Sequence, residues 1–175
     1  MRYLVLLCLL VSIPVTAFPA SNSQIFVLHS YSQEYRWTSA QHEGFTQTLA
    51  SGLSRSPVIS TEYLDTKRRP FDPDYAEELA AHLKYKYAAY RPDLIYVTDD
   101  NALDFALSKL TEILPRVPVI FSGVNNYGIE DAIDPLWVNG VFEKKEISAN
   151  IELLKSMARD VSNIVVVGDD SVTYR

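Results

Sequence analysis

The chain carries one cysteine in 175 residues, Cys8, and it lies inside the first apolar run. Everything after it is free of thiols, which excludes cysteine nucleophiles, disulfides and thiolate metal sites there. Histidine is nearly as scarce. His29, His42 and His82 fall on separate predicted elements, with none of the spacings that gather metal ligands, and the latter two read as helix-surface residues. Basic residues number 16 against 22 acidic ones, a formal net charge of -6. Phosphate backbones require a basic surface, so nucleic acid is excluded as a partner. The only basic run, Lys67-Arg68-Arg69, reads as a solvated loop. There is no G-x-S-x-G elbow, no phosphate-binding P-loop, no G-x-G-x-x-G and no H-E-x-x-H.

What is present begins with a targeting pattern. Arg2 supplies a positive charge, 4–15 forms a short apolar core, and Val15-Thr16-Ala17 offers small residues for cleavage. The run is shorter than the ~20 residues that span a bilayer, so 1–20 reads as a signal peptide, with an uncleaved anchor as the alternative. Cys8 lacks the preceding small residue of a lipoprotein signal. The remaining chain is expected in the periplasm, without cofactor or metal. Its length fits one ordinary domain, and an apolar fraction of 47% supports a packed core.

The centre of the pattern is PDLIYVTDDNALDF followed by VPVIFSGVNN. The apolar run 94–98 is bounded by Pro92 and Asp99-Asp100-Asn101, as expected of a strand buried on both faces in a parallel sheet. A helix follows, with Leu103, Ala106, Leu107, Leu110 and Leu114 on one face, Asn101 as N-cap and Asp104 completing a capping box. A second buried strand, 117–121, ends in Ser122 to Asn126.

Upstream, 24–28 is a strand ending in His29-Ser30-Tyr31. A loop SQEYRW leads to a helix capped by Thr38 and Gln41 and stopped near Gly52. The strand 58–64 has a half-polar interior, which places it near an edge. Asp72-Pro73 starts a helix running to about Tyr90. Downstream, 138–142 is a short strand interrupted by Gly140. Ser148 caps a helix that turns Ile151, Leu154, Met157 and Val161 inward, and 163–167 is an apolar strand ending in Gly168-Asp169-Asp170. This order predicts a doubly wound parallel α/β sheet with right-handed crossovers. A strand as apolar as the last one needs neighbours. The expectation is therefore a lobe over 21–145 and the start of a truncated second lobe over 146–175.

In such sheets ligands bind outside the carboxyl ends of the strands. His29-Ser30-Tyr31 with Tyr35 and Trp37 places aromatics and hydroxyls at one such end, either as a pocket or as a cover for the sheet. Asp99-Asp100-Asn101 exceeds what helix capping needs, which leaves a side chain for a ligand. A paired-carboxylate role finds no supporting partner, and a receiver domain would carry its acidic pair after the first strand. Ser122 to Asn126 offers two amides and a glycine that permits close approach, or else a plain turn.

Taken in order, HSYSQEYRWT, EYLDTKR, PDLIYVTDDNALDF, VPVIFSGVNN and VVVGDD resemble the extracytoplasmic sensor domain of the ABC-transporter substrate-binding-like family, found ahead of histidine kinase and diguanylate cyclase modules. The resemblance covers about 24–170. It implies a two-lobed, type I periplasmic-binding-protein fold that closes on a small ligand and signals across the membrane without catalysis. Its partners would be that ligand and a membrane-bound signalling module. It carries over as pocket residues Ser30, Tyr31, Trp37, Asp100, Asn101, Gly123 and Asn125, and more weakly Asp65 and Asp169. The alternatives are a free solute-binding protein serving an ABC permease, or a small exported α/β hydrolase, against which the missing elbow speaks.

Overall fold

Successive side chains on a strand point to opposite faces, so β1 (Gln24–His29) divides its apolar residues two ways. Phe26 and Leu28 enter one core and Ile25 and Val27 the other. The same division holds for β3 (Leu94–Thr98), which sends Ile95 and Val97 one way and Tyr96 the other. Strands buried on both faces need helices on both, and the structure supplies them. The computed structural model describes residues 22–158, 160 and 162–167. Among them, β2 (Val58–Tyr63), β1, β3, β4 (Val119–Val124) and β5 (Val138–Phe142) pair in that order, all in parallel. The sheet is a doubly wound parallel α/β sheet, as the element order predicts, and β2 is an edge strand, as its polar interior predicts.

Helix α1 (Arg36–Gly52) covers one face. Its Phe45 stacks on Tyr96 with ring centroids 3.9 Å apart, and Leu49 joins the same cluster. Helices α2 (Pro73–Lys86) and α3 (Asp99–Phe105) cover the other face, where Leu83, Leu103 and Phe105 are buried. Beyond α3 the helix widens into a π-helical stretch, Ala106–Leu110, and ends as α4 (Thr111–Ile113). Each large apolar side chain removed from water contributes about 1.5–3 kcal/mol. The chain leaves β1 through α1 to β2 on one side. It returns through α2 to β3 on the other. The strand order therefore reverses between β1 and β3, the switch point at which such sheets bind ligands.

The Asp72-Pro73 start holds: the Asp72 carboxylate accepts from the Tyr75 N–H at 2.8 Å, and proline opens the helix. That helix ends at Lys86, earlier than Tyr90. Two other expected caps are corrected. Helix α1 starts at Arg36, which puts Thr38 and Gln41 inside it, and α3 starts at Asp99, which puts Asn101 in its first turn. Gln41 and Asn101, which suit a cap, are drawn to tertiary partners instead. β4 runs on through Ser122 and Gly123 to Val124, beyond the expected end at Phe121.

β5 is continuous through Gly140. A Cβ at this glycine would lie 2.1 Å from the Phe121 carbonyl oxygen and 2.6 Å from its ring, so the glycine is where the phenyl ring crosses the strand. Helix α5 (Ile147–Met157) begins one residue before Ser148, and its intended inner face is open: Leu154 is 50% and Met157 75% exposed. Residues 163–167 pair with no strand among the described residues, and all are exposed. An apolar run records a tendency to be buried, and among the described residues nothing covers these segments. The expected signal peptide, Val161 and Asp169 lie outside the described residues.

Candidate functional site

Four strand ends meet at the carboxyl edge of the sheet, and side chains from three connections cross the switch point. β1 delivers Ser30. Its hydroxyl donates to the Thr98 carbonyl at 2.8 Å and accepts from the Ala102 N–H at 2.8 Å, fastening β1 to the end of β3 and to the first turn of α3. Ser30 is fully buried, so it forms the floor. Tyr31 is also buried, edge-on to Tyr35 at 5.3 Å, and the Lys67 ammonium lies 5.0 Å from its ring centre.

Asp99 is the centre of the edge. It opens α3 in the left-handed backbone region, with φ 66°, a conformation that aspartate visits more readily than most side chains. That turn aims the carboxylate back over the end of β3. The Trp37 indole N–H donates to Oδ1 at 3.0 Å and the Gln41 amide to Oδ2 at 3.2 Å. The Gln41 carbonyl oxygen accepts from Ser122, which in turn accepts from the Tyr96 hydroxyl at 2.7 Å. Gly123, with φ 73°, makes room for this cluster. A Cβ there would sit 3.2 Å from Gln41 and 3.3 Å from Asp99. Burial pushes the Asp99 carboxyl up to about 7, against the pull of hydrogen bonds from Trp37, Gln41 and Thr98, and the charge of Asp100 adds to the rise.

A second polar chain starts from the same point. The Thr98 hydroxyl is hydrogen-bonded to His29 Nδ1 at 2.9 Å. His29 Nε2 is in turn hydrogen-bonded to His42 Nδ1 at 3.0 Å, with donor and acceptor set by the tautomers of the two rings. His42 is therefore tied to the sheet and half-buried, which corrects its placement as a helix-surface residue; His82 is exposed, as expected. Burial and the neighbouring His42 push His29 down to about 3, and burial lowers His42 as well, so both rings are neutral at pH 7. Among the described residues no cluster of three or more metal-ligating side chains occurs.

The remaining sequence-chosen residues fall along the same edge in distinct settings. Asp100 accepts from the Asn125 and Asn126 backbone N–H groups at 3.1 and 2.9 Å, pinning the β4 exit to α3. The Asn125 amide donates to the Glu143 carbonyl at 2.9 Å, and its Oδ1 is buried without a partner. Asn101 donates to the Thr66 hydroxyl at 3.1 Å. Asp65, with φ 51°, holds Arg68 at 2.8 Å while its other oxygen is buried and unpartnered. Asp100, Asn101, Asn126 and Ile129 line a recess of about 130 Å³. Trp37 remains 42% exposed above the switch point, with its polar end held and its ring face open. The structure thus brings together Trp37 with Gly123 through Asp99, and Asp100 with Asn125. Tyr31 sits apart, with Tyr35 and Lys67. Sequence reasoning treated Asp99 as one of three and passed over Gln41. For Asp99 the signal was its place at the start of a helix directly after a strand; for Gln41 there was none, because its partners are tertiary.

No protein-family model matches the chain, and no curated protein matches its sequence. Two solved structures are similar in shape. A conserved domain protein from Vibrio cholerae O1 biovar eltor str. N16961 superposes with a TM-score of 0.58 at 14% identity, over 80% of this chain and 45% of that one. An ABC domain from Streptococcus pneumonia, solved in complex with L-Trp, superposes with a TM-score of 0.52 at 20% identity, over 77% of this chain and 43% of that one. The chain spans less than half the length of either. At these identities the likeness shows the fold: a doubly wound, binding-protein-like α/β unit whose switch point lies between β1 and β3.

Proposed function

We propose that the carboxyl edge binds a small molecule and that the chain is the extracytoplasmic ligand-sensing part of a bacterial signalling protein. The observation that carries the binding reading is Trp37. An aromatic ring stands half-exposed over the switch point, and its indole N–H is fixed by a buried carboxylate. Immobilised aromatic faces with a few placed polar groups are what small-ligand pockets are built from. Asn101 and Asn126 beside the adjoining recess would supply hydrogen bonds. The similar ABC domain was solved with L-Trp, which makes free amino acids the first class to try. The sensor reading rests on the five sequence motifs and the targeting pattern. Binding would shift a membrane-bound partner only through its differential affinity for the closed state. No catalytic role is assigned to any of these side chains.

Thermal-shift screening against free amino acids, small carboxylates and polyols tests the binding reading. A ligand that raises the melting temperature of the wild type should do so far less for Trp37→Ala and Asn101→Ala. Equal shifts for all three proteins would place the ligand elsewhere, and no shift from any class would remove the reading.

A further inference from the structure

A second cavity, of about 270 Å³, lies away from the switch point between α1 and the carboxyl end of the edge strand β2. Thr38, His42, Glu43 and Tyr63 line it. Its hydroxyls are of two kinds. Ser39 donates to the Arg36 carbonyl at 3.0 Å and Thr46 to the His42 carbonyl at 2.9 Å, so both are committed to the helix backbone. Thr38 is different: it is fully buried, and its Oγ1 has no hydrogen-bond partner. An unpartnered buried hydroxyl is costly unless something comes to it.

The imidazole beside it is prepared in a particular way. His42 Nδ1 is engaged with His29 Nε2 at 3.0 Å. His42 Nε2 has no protein partner among the described residues, and with the ring proton on Nδ1 it presents a lone pair to the cavity. Glu43 adds a carboxylate, held by the Gln47 amide at 2.9 Å, and the ring of Tyr63 stacks under His29 at 5.2 Å. Neither lysine nor arginine lines the cavity. Gln33 adds an amide that can donate or accept. The cavity therefore offers several acceptors, a negative charge and an aromatic ring, and it lacks a cation.

We infer that this cavity is a second binding site, for a small organic ammonium ion whose N–H groups reach Thr38 Oγ1, His42 Nε2 and the Glu43 carboxylate while its carbon skeleton lies against Tyr63. An ammonium has three donors and no acceptor, the complement of the acceptors on Thr38, His42 and Glu43. Aromatic rings also favour cations over neutral groups of the same shape. The space is many times what one water needs and admits a small organic amine.

Benzylammonium is the probe, with benzyl alcohol as the neutral counterpart and tetramethylammonium as a cation without N–H donors. Titrations are followed by backbone amide and histidine side-chain 15N NMR. The expected result is saturable benzylammonium binding that moves the His42 Nε2 resonance, with benzyl alcohol and tetramethylammonium binding at least about tenfold more weakly. Thr38→Val, which removes only the orphan hydroxyl and should fold at least as stably, and Glu43→Gln, at an exposed position, should each weaken benzylammonium about tenfold. Asn101→Ala, at the switch-point recess and with its side chain bonded to Thr66, should leave it unchanged, which separates this site from the one proposed there. Equal binding of benzyl alcohol, unaltered affinity in both variants, or shifts scattered away from α1 and β2 would each overturn the assignment, as would the absence of saturable binding.

Discussion

His29 is hydrogen-bonded to the hydroxyl of Thr98, the residue just before Asp99, and burial drives the two titrating groups in opposite directions: the Asp99 carboxyl up to about 7, the His29 imidazole down to about 3. Each shift makes stability depend on pH, with opposite sign. From about pH 3.8 to 7 the folded state holds one more proton at Asp99 than the unfolded state, so stability falls as pH rises. From about pH 3 to 6.5 the unfolded state holds one more proton at His29, so stability rises with pH. Across the shared window, roughly pH 4 to 6.5, the two slopes of about 1.4 kcal/mol per pH unit offset each other. Asp99→Asn, which tolerates the same backbone, should expose the rising slope relative to wild type, and His29→Gln the falling one. Urea unfolding at several pH values measures both. Parallel curves for all three proteins would show that the shifts are absent.

Gly123 is the hinge of the polar cluster. Its φ of 73° suits glycine, and an alanine Cβ would press on both Gln41 and Asp99. Gly123→Ala should destabilise by about 1–2 kcal/mol from the backbone alone. It should also loosen the Trp37 indole, seen as a shift in tryptophan fluorescence, because the carboxylate that holds it must move. A variant as stable as wild type with unchanged fluorescence would mean that the left-handed conformation is not occupied.

Gly140 makes a different demand. Its conformation is ordinary, and what forbids a side chain is the Phe121 carbonyl and ring. A backbone atom cannot swing aside as a flexible side chain can, so Gly140→Ala should cost about 3 kcal/mol or more. The loss should be local to β4 and β5. Amide exchange of Val138 to Phe142 should accelerate well beyond that of β1 and β3, whereas uniform acceleration would speak against the packing account.

How much of this was legible follows from where each residue finds its partner. The bounds of β3 and β5 and the Asp72 cap depend on near neighbours, and sequence pattern located them. The start of α1 did not yield to the same reading, because Thr38 and Gln41 imitate a local capping box. Their surroundings are tertiary: Gln41 bridges Asp99 and Ser122. The meeting of His29 and His42 was equally hidden, since it depends on α1 folding back over the end of β1. The run 163–167 was read as a strand from its hydrophobicity, yet a strand is defined by what it pairs with, and among the described residues it pairs with none.

Helix α2 provides the simplest test of a locally encoded feature. The Asp72 carboxylate satisfies the Tyr75 N–H, an otherwise unpaired donor at the helix start. Proline at 73 leaves one donor fewer to satisfy. Tyr75 then donates its hydroxyl to the Leu64 carbonyl at 2.7 Å, tying the helix start to the chain just beyond β2. Asp72→Ala should therefore lower stability by about 1 kcal/mol, within the usual 0.5–2 kcal/mol for a lost cap. Because the cap acts on a helix packed against the far face of the sheet, the unfolding midpoint in urea should drop without a change in slope. Asp72→Asn should recover most of the loss, since an amide oxygen accepts the same hydrogen bond. If alanine and asparagine were equally destabilising, the contribution would come from the charge and its distance to Arg69, 3.4 Å away, instead of from the cap.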